Sequence, residues 1–428
     1  LGKGWGTVHE LDDQSAVTSS FTELSAMVHH PEELPELIAR AYAIFNASRP
    51  RPVHLSLPWD VLPEEVNGQW ATRRLPSTPM PCPTAVEEAA SLLAHAKRAL
   101  IVVGGGAVGT RDALTEIAEK LAAPVLSTNA GKGILPESHS LSLGCTILQP
   151  ASHAELADAD VVLMVGTEIA EGDHFTPKLS INGKIVRVDI DPVELISIYG
   201  ADVGIQADAK ATLNAIASAL RDRPVEAKRT QGEARTKAVV KKIEQSLSDD
   251  ERQHVRIWEI LRAAMPSDTI VMGDISQLVY TGSFALPVEF EKCWYYPGTY
   301  CALGIAMPMA IGAKIGVPDR PVMAVSGDGG FMFTVGELAA AVEEKLPIPI
   351  IIWNNNALKE IVDQMDRRQM PRIGVEPTNP DFVALAKSFG CEGVSADSPQ
   401  SLGDAVSRAF QANAPTLIEV NQDSAWLG

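Results

Sequence analysis

The sequence predicts an α/β fold made of three Rossmann-like parallel-sheet domains in a row, the first of them incomplete. Three observations carry this. Short apolar runs repeatedly end in Gly- or Asn-rich turns and are followed by helical patterns, as at Val322–Val325 before Gly327-Asp328-Gly329 and at Ile348–Trp353 before Asn354-Asn355-Asn356. The same alternation fills residues 84–220, where Ala99–Val103 runs into Gly104–Gly109 and then a helix. Residues 1–66 hold one helical and one strand-like stretch, too little to bury a core unaided.

In chain order, the first 66 residues open with a polar, Gly-rich stretch, Leu1–Gln14. A helix over Pro31–Ala47 and a strand over Val53–Leu57 follow. Residues 67–83 are Pro-rich, without period, and predict a linker. In residues 84–220 the periodicity predicts helices over Ala85–His95 and Asp112–Leu121. Strands are expected at Ala99–Val103, Pro124–Ser127, Val161–Val165 and Lys184–Asp189. Gly104, Gly106 and Gly109 satisfy GxGxxG between strand and helix. A dinucleotide site also wants an acidic residue at the end of the next strand, where this chain has Ser127-Thr128-Asn129. A tight turn with close helix packing is the simpler reading; FAD or another nucleotide remains an alternative. The mixed charges of 221–253 predict a solvated helical linker. Residues 254–428 form the last domain, with a helix over Val255–Ala264, a strand over Thr269–Met272 and the turn Gly273–Gln277. An Ala/Gly-rich helix is expected within Ala302–Val317, and Ser401–Ala412 and Thr416–Val420 end the domain as helix and strand.

The chemistry concentrates at Gly327–Asn356. Thr334 and Glu337 are spaced as a capping box for the intervening helix. In a parallel sheet both flanking turns sit at carboxyl ends of strands, where α/β sheets bind ligands. Asp328 and Asn355 are hard oxygen donors of the kind Mg²⁺ takes together with phosphate oxygens and water. Gly329 and Gly330 lead towards a helix, where free N–H groups can cradle a diphosphate. Composition narrows the partners. A net charge of −18 disfavours nucleic acid and anionic membranes. Five scattered cysteines without a CxxC pair suggest reduced thiols in the cytoplasm.

The spacing GDG, 24 residues, NN resembles the thiamine-diphosphate motif. The resemblance to the acetolactate synthase and 2-oxo-acid decarboxylase family extends over essentially the whole chain. It includes Arg49–Val61, GKGILPESH (131–139), VDIDP (188–192) and LGIAMP (303–308). It implies thiamine-diphosphate-binding domains: the carboxyl part of a pyrimidine-binding domain (1–66), a central Rossmann-like domain (84–220) and a diphosphate/Mg²⁺ domain (254–428). About 120 residues of the first domain, a usual domain size, are expected before Leu1. The family's catalytic Glu is expected there, outside this chain. The resemblance further implies Mg²⁺ on the Asp328 and Asn355 side chains and the Ala357 carbonyl. It puts diphosphate on Ser276 and Gln277 beside Gly327, Gly329 and Gly330. Leu303 props the bent cofactor, and the Cys301 carbonyl accepts from its amino group; a buried packing cysteine is the plain alternative for the thiol. Some relatives hold FAD, which nothing in this sequence specifically supports.

For substrate, Val8-His9-Glu10 and Gln364 stand where acetolactate synthases carry FQE and Trp. Thr7–Gln14 and residues 354–382 more closely resemble the 5-guanidino-2-oxopentanoate decarboxylase branch. A guanidinium wants carboxylates for bidentate pairing. Glu10, Asp13, Glu360 and Asp363 are the candidates, beside Ile361 and Gln364, with solvated surface acids as the plain alternative. His9 could carry a proton near neutral pH. The expected reaction is decarboxylation of a 2-oxo acid through a C2 carbanion and enamine. Acetolactate-type carboligation, a non-catalytic cofactor-binding relative and a nucleotide-binding protein are alternatives. Family sites form between subunits, so a homodimer or homotetramer is implied.

Overall fold

The computed structural model describes residues 4–66, 70–225 and 229–427. All of its sheets are parallel, as the apolar, doubly covered strands require. The first is a pair, β1 (Leu24–Met27) and β2 (Val53–Ser56), joined over helix Leu34–Ala47. The second has the order β5-β4-β3-β6-β7-β8. Its strands are β3 (Ala99–Val103), β4 (Val125–Ser127), β5 (Ser142–Gly144), β6 (Val161–Val165), β7 (Lys184–Asp189) and β8 (Val203–Gln206). The third has the order β10-β9-β11-β12-β14-β13. It is made of β9 (Ile270–Gly273), β10 (Trp294–Tyr295), β11 (Val322–Gly327), β12 (Pro349–Asn354), β13 (Glu392–Ser395) and β14 (Thr416–Asn421). Every residue of β3, β6, β11 and β12 is buried, so each strand packs a helical layer on both faces. The mixed α/β, parallel-sheet expectation holds.

Several local expectations need correction. Thr334 does not cap a helix N-terminus. The chain enters a short helix at once, Asp328–Phe333, and a second one, Glu337–Glu343, starts after Gly336 without a side-chain cap. The Thr334 hydroxyl instead donates to the Gly304 carbonyl at 2.6 Å, a tertiary partner that sequence spacing does not reveal. The helix expected within Ala302–Val317 covers only Ala306–Gly316, because Gly304 takes φ +84°. The charged stretch after residue 221, of which 226–228 lie outside the described residues, is not merely solvated. Helix Arg229–Ser246 buries Gly232, Thr236, Val239 and Ile243, and Arg235 donates to Glu155 at 2.6 Å and the Ala99 carbonyl at 3.1 Å. Between residues 70 and 82 the expected linker has no helix or strand; residues 67–69 and Leu1 lie outside the described residues.

The glycines of the GxGxxG turn serve packing. A Cβ on Gly104 would lie 2.6 Å from the Thr167 Cβ, and one on Gly106 would lie 2.8 Å from the Gly166 Cα. The free N–H of Gly109 donates to a Glu291 carboxylate oxygen at 2.9 Å. Glu291 ends a strap, Val288–Glu291, that ties the third sheet's surroundings to the second. Arg111 donates to the Glu289 carbonyl (2.8 Å), Ser138 to the Glu289 carboxylate (2.7 Å), and the Val288 N–H to Glu137 (3.0 Å). Glu137 is held by both oxygens on the buried Lys132 ammonium at 2.7 Å. Asn129 adds a further tie, its side-chain Oδ1 accepting from Ser283 (2.8 Å) and Trp294 (3.0 Å). Among the described residues no helix is long and apolar enough to cross a membrane, and all five cysteines are free.

Candidate functional site

After β9 the chain runs to β10 on one side and then to β11 on the other. The carboxyl ends of β9 and β11 therefore border a topological switch point, where an open parallel sheet leaves a crevice for a ligand. Three turns meet there. Asp274–Gln277 follows β9, Gly327–Gly330 closes β11, and Asn354–Ala357 follows β12.

Asp274, 1 % exposed, is the knot of the first turn. Its carboxylate accepts from the Ile275 N–H (2.7 Å), the Gly304 N–H (3.0 Å to each oxygen) and the Ser326 hydroxyl (3.0 Å). Burial pushes its pKa up, against these hydrogen bonds. The loop that carries Cys301 and Leu303 is thereby fastened to the crevice. A Cβ on Gly330 would stand 3.1 Å from Ser326 Oγ and 3.2 Å from Asp274 Oδ2, so glycine lets the Asp328 turn close over this knot.

Asp328, 2 % exposed, faces the third turn. One carboxylate oxygen accepts from the Gly329 N–H at 2.9 Å and the other from the Asn379 amide at 2.6 Å. Burial raises its pKa, and these bonds oppose the shift. Asn355 is half-buried, its side-chain carbonyl 3.3 Å from the Ala357 N–H. Asn354 bridges outward and inward: its amide donates to Glu419 at 2.7 Å, and its side-chain carbonyl accepts from the Asn356 N–H at 3.1 Å. Among the described residues no three His, Cys, Asp or Glu side chains gather as a metal cluster. One carboxylate with amide and backbone carbonyl oxygens is a different donor set, of the type a hard cation accepts.

Ser276 is the N-cap residue of helix Gln277–Ala285, yet no side chain caps that helix. The Ser276 hydroxyl is buried and meets no partner among the described residues. An orphan hydroxyl beside an uncapped helix N-terminus in a Gly-walled crevice fits a diphosphate. Gln277 donates to Asp363 at 3.1 Å, and Lys359 pairs closely with Asp363. Gln277, Tyr280, Glu360 and Gln364 line one cleft of about 830 Å³, with Glu171, Phe175 and His254 elsewhere on its wall. Glu360 accepts from Gln364 (3.2 Å) and Arg367 (3.4 Å).

The structure thus gathers Ser276, Gln277, Gly327–Gly330, Asn355, Ala357, Glu360, Asp363 and Gln364. Leu303 is 40 % exposed beside them, and Ile361 is exposed in helix Lys359–Arg367. Cys301 is exposed, not a buried packing cysteine, and takes φ 51°; its thiol donates to the Gly298 carbonyl at 3.2 Å. His9, Glu10 and Asp13 are not brought here. His9 is exposed at φ 64°. Glu10 accepts from the Gly4 and Thr7 N–H groups, and Asp13 caps helix Gln14–Ser19. Sequence reasoning missed Ser326 and Asn379. Ser326 belongs to a strand whose apolar run hides it. Asn379 lies in a stretch without periodicity, and only its place before Pro380 and the helix cap Asp381 marks it.

Residues 274–420 match the C-terminal TPP binding domain of the thiamine pyrophosphate enzymes, and residues 86–216 match their central domain. The chain is 40% identical over 432 residues to the "Probable 2-ketoarginine decarboxylase AruI" of Pseudomonas aeruginosa, covering 99% of this chain and 76% of that protein. It is 28% identical over 433 residues to the acetolactate synthase isozyme 1 large subunit of Escherichia coli, covering 96% and 74%. A "Probable acetolactate synthase large subunit" of Methanocaldococcus jannaschii is 28% identical over 441 residues, covering 94% and 72%. The crevice with its orphan hydroxyl and the two matched domains agree, and the chain belongs to the thiamine pyrophosphate enzymes.

Proposed function

We propose that this chain is part of a thiamine-diphosphate and Mg²⁺ dependent enzyme that decarboxylates 5-guanidino-2-oxopentanoate or a similar 2-oxo acid. The observation that carries the reading is the meeting of Asp328, Asn355 and the orphan Ser276 hydroxyl at one switch point, in a chain 40% identical to a "Probable 2-ketoarginine decarboxylase". Residues 84–220 and 254–428 serve as central and diphosphate-binding domains, and 1–66 as the carboxyl part of a pyrimidine-binding domain. When bound, thiamine diphosphate supplies a nucleophilic C2 carbon and a ring that accepts the electron pair left by departing CO₂.

This chain's residues hold and orient. Asp328 and Asn355 by side chain, and Ala357 by its carbonyl, hold Mg²⁺. Ser276 and Gln277 hold diphosphate oxygens, with Gly327, Gly329 and Gly330 leaving room. Leu303 supports the rings, and the Cys301 carbonyl, turned by its positive φ, accepts from the pyrimidine amine. Glu360 pairs with the guanidinium because it is the candidate acid on the cleft wall, where it already meets the Arg367 guanidinium at 3.4 Å, whereas Glu10 and Asp13 close their own turns and Asp363 holds Lys359. Tyr300, Phe333 and Ile373 leave large apolar side chains exposed on segments near the crevice, which supports closure by a second subunit. That subunit would also bring a His9 to the site as proton carrier. The free thiols support a cytoplasmic setting.

The test offers the intact protein, thiamine diphosphate and Mg²⁺ each of two acids, and follows CO₂ with the organic product. An aldehyde from the guanidino acid, with little from pyruvate, is expected. Acetolactate from pyruvate, with nothing from the guanidino acid, would replace the reading by carboligation. Asp328→Ala should abolish Mg²⁺-dependent cofactor binding while the fold persists.

A further inference from the structure

We propose that Asn379 is a positioning residue for the cation turn, holding Asp328 at the end of β11 against the turn after β12 before any cation arrives. The inference rests on the function proposed above.

Three oxygens converge on its amide nitrogen: Asp328 Oδ2 at 2.6 Å, Asn354 Oδ1 at 3.0 Å and Asn356 Oδ1 at 3.3 Å. All three are acceptors, so only the NH₂ end of Asn379 can face them. The nitrogen has two hydrogens for three acceptors, and the shortest contact goes to the charged one, as charge-assisted bonds do. One side chain thereby spans the ends of two neighbouring strands.

Asn379 is itself held at its base. Pro380 follows it and restricts it to extended backbone. Asp381 caps helix Phe382–Phe389 by accepting from the Ala384 N–H at 2.9 Å. Upstream, the Val375 carbonyl accepts from the Leu358 N–H at 2.8 Å. The stretch from Val375 to Asp381 is therefore stitched along the Asn354–Leu358 turn at two points, Leu358 and the Asn354/Asn356 pair.

The bond to Asn379 does not block a cation. Each carboxylate oxygen has two lone-pair directions; Asp328 makes its short bonds to Gly329 and Asn379, while the Asn356 and Ala357 N–H groups of the turn after β12 also act on it. These bonds fix the plane of the carboxylate and hold it against the turn after β12. Mg²⁺ demands near-ideal octahedral geometry and tolerates misplaced ligands poorly. A carboxylate left to rotate, and a turn left to drift from it, would have to be ordered by the cation itself. Partners that orient metal ligands typically matter 10–100-fold in metal affinity.

The test titrates thiamine diphosphate by calorimetry into the intact protein at a series of Mg²⁺ concentrations, with thermal melts in EDTA alongside. Wild type is compared with Asn379→Leu and with Asn379→Ala, the latter leaving room for a water to replace the donor should the former misfold. The Mg²⁺ needed for half-maximal binding is expected to rise about tenfold or more in the variants, with cofactor affinity at saturating Mg²⁺ nearly unchanged. A lower melting temperature with an unchanged Mg²⁺ requirement would overturn the inference and leave Asn379 a structural residue only. So would weaker cofactor binding that saturating Mg²⁺ does not restore. Wild-type protein that shows no Mg²⁺-dependent binding would instead overturn the proposed function, and the inference with it.

Discussion

Acidification should destabilise the third sheet's surroundings through one buried imidazole, His254. It sits in helix Asp249–Ala264, whose start is fixed by the Ser248/Glu251 capping box. The ring is 3 % exposed, with Nδ1 2.9 Å from the Thr281 hydroxyl and its face edge-on to Trp353 at 5.1 Å. Burial pushes its pKa down from 6.5 to about 4, while Asp250 and Glu251 in the first turn pull it weakly upward. The folded value lies below the unfolded one, so the unfolded chain takes up the proton first. The favourable contribution is full above pH 6.5 and is lost as pH falls through the window down to about 4. At pH 5 the loss is about 2 kcal/mol, and it approaches about 3 kcal/mol below pH 4. Urea denaturation at pH 7.5 and pH 5, read by tryptophan fluorescence, would compare wild type with His254→Gln, which cannot titrate. Wild type should lose about 2 kcal/mol more than the variant between the two conditions. Equal losses, or an NMR titration of His254 centred near 6.5, would refute the reasoning.

Three other substitutions probe the same frame. Ser276→Ala removes a buried hydroxyl that has no partner, so it should leave the melting temperature of cofactor-free protein unchanged or slightly raised. It should also weaken thiamine diphosphate about tenfold by calorimetry, the scale of one hydrogen bond to a charged group. Lys132→Met strands the buried Glu137 carboxylate at the strap and should cost about 3–5 kcal/mol in urea, with Glu137→Leu in the same chain recovering most of it. Gly330→Ala drives a methyl against Ser326 and Asp274 and should cost about 1–3 kcal/mol while weakening cofactor binding.

Much of the frame was legible because it rests on local physics. β11 and β12 are fully buried and apolar over Val322–Val325 and Pro349–Trp353, so their type, and the placing of Asp328 and Asn355 at their ends, followed from composition and turn residues. What was hidden depends on partners distant in the chain. Thr334 and Glu337 have the spacing of a capping box, but the Thr334 hydroxyl has a better use on Gly304, so the helix starts later. Helix Arg229–Ser246 looks solvated because its charges outnumber a seam of two apolar residues, Val239 and Ile243; the seam is enough once Arg235 reaches Glu155. β5 and β8 are short edge strands that no apolar run announces.

The acids show the same limit from the other side. Glu10, Asp13, Glu360 and Asp363 are one residue type in a sequence, and only geometry separates them. Two carboxylates close turns of their own segment, one holds Lys359 and Gln277, and one lines the cleft. Asp328 and Asp274 differ again. Both are buried carboxylates with raised pKa, and both are compensated by hydrogen bonds. Asp274 receives its bonds from three separate segments and so serves as a knot. Asp328 receives its bonds from its own turn, from Asn379 and from the N–H groups of Asn356 and Ala357, the turn that carries the other proposed cation ligands. The source of the hydrogen bonds, more than burial or residue type, distinguishes the carboxylate that fastens the fold from the one proposed for a cation.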